Sequence, residues 1–180
     1  MNKKQLYESI MASVAKEVKK ALNEAGPEKF NNSEAYRFLK LYVVKAIIMT
    51  MGSAAKVNDS TDSVKMKIKI GRSLKDVNVT MCYKGSNEVG ISQSKMMNMK
   101  NMAFISDDKI YIVNGDFLRE NWNNKSVCRT DTTYTDRIGE RSVMTKFKLE
   151  FLKENASDII SMTNDAIAMY ETAYNEMSIK

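Results

Sequence analysis

The stretch VKMKIKI at residues 64–70 constrains the fold more than any other. Val64, Met66, Ile68 and Ile70 alternate strictly with Lys65, Lys67 and Lys69. Successive side chains of an extended chain point to opposite faces, so this period predicts a strand with one apolar face inside and one basic face in water. Val77, Val79, Met81 and Tyr83 repeat the alternation after GRSLKD, which predicts an antiparallel hairpin. MAFI and KIYIV flank a turn at Ser106-Asp107-Asp108 and end at Asn114-Gly115, which predicts a second hairpin. Residues 64–114 therefore read as a small antiparallel sheet of about four strands.

On either side the period changes to three and four. Leu6, Ile10, Val14, Val18 and Leu22 recur every four residues, with Ala15, Ala21 and Ala25 beside them. This spacing predicts an amphipathic helix of about six turns, stopped by Gly26-Pro27. Its stripe suits docking to a partner or packing on its own domain. Asn31 and Glu34 have capping-box spacing and open a second helix that runs through YRFLKLYVVKAIIMTM to Gly52. That helix is apolar nearly all round, so it belongs at the centre of the fold or in a subunit contact. SAAKVNDSTDS reads as a loop, and residues 115–140, with NWNNK and TDTTYTD, as a longer one. Val143, Phe147 and Phe151 begin a stripe. Past Asn155 it continues through Ala156, Ile159, Thr163, Ala166, Tyr170, Ala173 and Met177, predicting one or more C-terminal helices over residues 141–178. The expectation is a single α+β domain over residues 1–180. It has an N-terminal helical pair within residues 1–52, the small sheet, and a long C-terminal helical segment. A chain of this length can bury its own core without disulfides or metal.

The chain contains no histidine, which excludes Ser-His-Asp and Cys-His nucleophilic sites and His-ligated zinc. Cys82 and Cys128 lie far apart and form no CxxC pair, so a zinc ribbon is out and free buried thiols in a reducing compartment are expected. Glu8 interrupts any apolar leader, and Lys16, Glu17, Lys19 and Lys20 end it, so neither a signal peptide nor a membrane span is read. Ser92 and Lys95 have the S-x-x-K spacing of an activated serine but lack the accompanying motifs. Asp131 and Asp136 flank TTYT, with Asp107, Asp108 and Asp116 elsewhere, yet the spacing of a calcium loop is missing. Met96, Met97, Met99 and Met102 would suit soft copper, but 14 methionines in the chain read better as packing. GSNEVG lacks the Gly-Lys-Ser/Thr of a phosphate loop. No catalytic residue, metal or cofactor is expected.

The net charge of +6 permits contact with nucleic acid or another acidic surface. Lys65, Lys67 and Lys69 are the candidate contact, with Tyr83 or Tyr111 placed to stack a base. The charge is uneven: Glu154, Asp158, Asp165, Glu171 and Glu176 face only Lys180 near the end, an arrangement suited to head-to-tail contact between copies.

The opening MNKKQLYESIMASVAKEVKKALNE resembles the LYE-x-IM-x-x-V-x-K-x-V-K stretches that begin virion proteins of crAss-like phages infecting Bacteroides. The resemblance implies a non-enzymatic structural or cargo protein of a tailed phage, found in the virion and, during assembly, in the host cytoplasm. Helices flanking a small sheet also look like head–tail connector, neck and tail-completion subunits, which form rings around the DNA channel. Copies would then assemble as a homo-oligomeric ring through Leu6, Ile10, Val14, Val18 and Leu22, beside neighbouring virion proteins and with DNA as a candidate partner. The alternative is a small basic nucleic-acid-binding accessory protein of a phage or bacterium. An enzyme with carboxylate-held metal ranks last.

Overall fold

The structure is a computed structural model that describes residues 40, 43–44, 46–48, 50, 56–60, 63–132 and 143–177. The stripe Leu6, Ile10, Val14, Val18 and Leu22 lies outside the described residues, as does Asp136.

The lysine-bearing strand is β2 (Ser63–Ile70), and it pairs antiparallel on one side with β1 (Lys56–Ser60) and on the other with β3 (Ser73–Val79). Gly71 closes the β2–β3 turn at φ +59°, a left-handed value that glycine adopts without a Cβ penalty. After β3 the chain leaves this sheet to form β4 (Glu88–Ser92) and the short helix α2 (Gln93–Met96), then returns as β5 (Asn101–Ser106). β5 lies parallel to β3, with Asn78 opposite Met102 and Val79 opposite Ala103. Parallel neighbours need a long crossover, and residues 80–100 supply it. β5 and β6 (Lys109–Asn114) form a tight hairpin whose central residues Asp107 and Asp108 both have positive φ, as in the mirror-image turns that match strand twist.

A second excursion follows. Helix α3 (Gly115–Asn121), β7 (Cys128–Asp131), β8 (Met144–Lys148) and α4 (Leu149–Glu154) precede β9 (Asp158–Ser161), which closes the first sheet against β6. Helix α5 (Asn164–Met177) follows. Residues 40, 43–44, 46–48 and 50 are helical and are designated α1. Among the described residues the strands thus form a six-stranded mixed sheet, β1-β2-β3-β5-β6-β9, and a three-stranded antiparallel sheet, β4-β8-β7.

Two cores lie on opposite faces of the large sheet. On one face Met66, Ile68, Val77, Val79, Ala103, Ile105, Ile110 and Ile112 pack against Val43, Val44 and Ile47 of α1 and Ala166, Met169 and Tyr170 of α5. On the other, Met102, Phe104, Tyr111 and Val113 of β5 and β6 pack against Val89, Ile91 and Phe147 of the small sheet and against Met96, Leu118 and Leu152 of the short helices. Phe104 stacks on Tyr111 with ring centroids 5.3 Å apart. The small sheet covers only the β5–β6 half. On the same face of β2 and β3 the residues are Lys65, Lys67, Lys69, Leu74, Asp76 and Asn78.

These observations correct the α+β expectation of one small antiparallel sheet and a long C-terminal helical segment. The fold is mixed α/β with two sheets, a parallel pairing and short helices. Met144–Lys148, inside the expected helix, is the central strand of the small sheet, with Thr145 and Phe147 buried and both neighbouring strands antiparallel to it. Asp158–Ser161 is the edge strand of the large sheet. Helix α3 and strand β7 occupy part of the stretch read as a loop over residues 115–140. β1 falls within SAAKVNDSTDS, where backbone pairing along a polar sheet edge overrides a loop-like composition.

Ion pairs tie the elements together. Arg129 of β7 holds Glu88 of β4 through two hydrogen bonds of 2.7 Å across the small sheet. The hydrogen bonding of Arg129 holds the Glu88 carboxyl below the usual carboxylate range. A depressed carboxyl pKa contributes stability above its unfolded value, 4.5, and that contribution is lost as pH falls through the folded value beneath it. Glu88→Gln should therefore flatten the acid limb of a stability–pH profile below about pH 4.5. Parallel acid limbs in both proteins would refute this. Two of the acids near the chain end are also engaged: Asp158 pairs with Lys75 at 2.5 Å and Glu171 with Lys84 at 2.5 Å.

Candidate nucleic-acid interface

Lys65, Lys67 and Lys69 emerge side by side from the half of the large sheet that the small sheet leaves uncovered, and all three are exposed. Register sets Lys65 opposite Asn78, Lys67 opposite Asp76 and Lys69 opposite Leu74. Lys100 joins them from the start of β5 by pairing with Asp76 at 2.9 Å, while Lys67 lies 3.9 Å from the same carboxylate. The hydrogen bond from Lys100 keeps Asp76 below the usual carboxylate range, so it stays charged at neutral pH. One aspartate thus sits among Lys65, Lys67, Lys69 and Lys100, and the surface is strongly positive. Neither Lys65 nor Lys69 takes part in an ion pair or side-chain hydrogen bond among the described residues.

At the edge of this surface, where α2 meets β2 and β3, an open depression is lined by Lys65, Asn78, Ser94, Lys95 and Asn98. The position of α2 follows from its anchors. Met96 and Met99 are buried in the second core. Arg119 of α3 donates to the Met96 carbonyl at 2.8 Å and the Met99 carbonyl at 2.9 Å, and it also pairs with Asp116. The backbone N–H of Gly115 donates to the Lys100 carbonyl at 2.8 Å. These contacts fix the turn carrying Ser94, Lys95 and Asn98 over the rim of the lysine face. Among the described residues no carboxylate lines the depression.

The other groups singled out in the sequence take different places. Tyr111 is buried against Phe104 beneath the small sheet, away from the lysines, so it offers no ring for stacking a base. Tyr83 lies beyond the end of β3, outside the lysine row. The Ser92 hydroxyl bonds to that of Ser94 at 2.8 Å. Asp131 pairs with Lys146 at 2.6 Å, and Asp107 with Lys153 at 2.6 Å. Among the described residues no group of three or more His, Cys, Asp or Glu side chains comes together to hold a metal ion. Met96, Met99 and Met102 are core residues, whereas Met97 is exposed. Cys82 and Cys128 are free and buried, and desolvation pushes both thiols above the ordinary range. No described helix is long and apolar enough to cross a membrane. Sequence reasoning found the lysine row but missed Asn78, Ser94 and Asn98, which no motif marks. No family model, curated protein or solved structure matches the chain.

Proposed function

We propose that this is a non-catalytic binding protein that contacts the phosphate backbone of nucleic acid through the uncovered lysine face. The single observation carrying this reading is that, among the described residues, the small sheet leaves half of one face of the large sheet uncovered, where exposed Lys65, Lys67 and Lys69, with Lys100 beside them, outnumber the one acid, Asp76. A bare face in water needs polar residues, but mixed charges would serve that purpose equally well; a row of one sign suits a polyanion. The lack of an exposed aromatic ring within the row favours phosphate tracking over base stacking, hence binding with little sequence preference. The resemblance of residues 1–24 to phage virion openings supports reading such a protein as a component of a tailed-phage particle, where DNA would be the neighbouring polyanion. A homo-oligomeric ring is part of the same proposal, carried by that resemblance and by the stripe from Leu6 to Leu22.

Duplex binding followed by fluorescence anisotropy tests the first part. The logarithm of the association constant should fall linearly with the logarithm of salt concentration, with a slope of about −0.9 for each phosphate contacted. Salt-independent affinity, or no binding at low salt, would remove the reading. Light scattering on the full chain tests the ring, and a monomer at high concentration would dispose of it.

A further inference from the structure

We infer that the depression beside α2 is a phosphate subsite in which the side-chain amide of Asn78 donates a hydrogen bond to a phosphoryl oxygen. This deepens the proposed function and rests on it for the identity of the ligand. Asn78 is only 9% exposed, and its side chain has no hydrogen-bond partner among the described residues. A buried amide without a partner is costly, and proteins retain few of them. The surroundings of this amide are consistently electropositive or hydrogen-bonding. Lys65 is its cross-strand neighbour, Lys95 adds a second ammonium group, and the Ser94 hydroxyl and Asn98 amide complete the lining. Among the described residues no carboxylate lines the site to repel an anion. A tetrahedral oxyanion matches this set of groups, because its several acceptor oxygens can satisfy the amide and meet the ammonium charges together.

The neighbouring lysine row identifies the source as a phosphodiester of the bound strand: one phosphate would settle in the pocket while its neighbours run along Lys67 and Lys69. Such a seat fixes the strand's register on the sheet, which a flat charged surface cannot do.

The test follows the phosphorus NMR line of inorganic phosphate, at low millimolar concentration and constant ionic strength, with the full chain. The wild-type protein should broaden the line in a saturable way, and Asn78→Leu should abolish the broadening. That variant replaces an unpartnered polar group with an apolar one of similar shape, so its thermal midpoint in chloride should be unchanged or higher. Lys67→Glu/Lys69→Glu, outside the pocket lining, should lose most duplex binding yet keep the phosphate broadening. Equal broadening by wild type and Asn78→Leu would overturn the subsite while leaving the lysine face standing. If duplex binding survives Lys67→Glu/Lys69→Glu, the function proposed above fails but the subsite does not. An oligonucleotide lacking terminal phosphates should displace inorganic phosphate; simultaneous binding of both would overturn the assignment to a phosphodiester.

Discussion

Gly115→Ala is expected to destabilise the protein by roughly 3 kcal/mol, at the upper end of overpacking effects. A Cβ at this position would fall 2.1 Å from the Met99 carbonyl oxygen, 2.9 Å from the Lys100 oxygen and 3.0 Å from the Met99 carbonyl carbon. All three are backbone atoms, so no side-chain rotation relieves the clash. The backbone they belong to is also held in place. Arg119 bonds the Met99 carbonyl, Gly115 itself bonds Lys100, and Met99 and Met102 are buried on either side. On the other side, Gly115 is the first residue of α3, whose Asn114 cap accepts from Asp116 N at 2.7 Å. Moving either partner breaks a cap or a carbonyl anchor. For a chain of this size the loss corresponds to a fall in melting midpoint of roughly 6–12 °C. Calorimetry or urea denaturation reads it directly. A change under about 0.5 kcal/mol, the ordinary range for a harmless surface substitution, would show that the Met99–Lys100 turn yields freely.

Charge reversal at all three sheet lysines should have the largest effect on binding. Lys65→Glu/Lys67→Glu/Lys69→Glu takes the chain from a net charge of +6 to zero. If each lysine neutralises one phosphate, the salt slope for duplex DNA should fall by about 3, and affinity near 50 mM salt by two orders of magnitude or more. The fold should survive, because all three side chains are exposed and the one ion pair among them, Lys67 with Asp76, is a long surface contact. Circular dichroism provides that control. Anisotropy titrations across roughly 50–200 mM salt provide the measurement. An unchanged slope would mean that nucleic acid, if bound, lies elsewhere.

The lysine row and the two hairpins were legible because their period is local, but β3 takes in Ser73–Asp76, read as part of the connection, and stops at Val79, short of Met81 and Tyr83. The small sheet was not legible, and Phe147 shows why. Val143, Phe147 and Phe151 are four apart, and a spacing of four is shared by one face of a helix and one face of a strand. Thr145, buried between them on β8, breaks the tie in favour of the strand, but a threonine does not announce burial in a sequence. The strand forms because β4 and β7 bind both of its edges, and those lie at residues 88–92 and 128–131. β9 is similar: Ile159 and Ile160 fit a helical stripe, yet Asp158–Ser161 completes the ladder on β6. Asn78 in SLKDVNV falls on the lysine face by alternation alone, which marks it as polar and outward. It lines a depression with Ser94, Lys95 and Asn98, whose turn is anchored by Arg119, and no local period marks that meeting.

The amino-acid order determined by itself which side chains of β2 and β3 share a face, since the direction of each Cβ in an extended chain follows from its own backbone. It likewise determined that one of those faces is basic. Tertiary structure alone decided that the small sheet covers only half of that face, that β5 returns parallel to β3, and that Asn78 shares a depression with Ser94, Lys95 and Asn98. Those outcomes depend on contacts between segments tens of residues apart, and no local period carries that information.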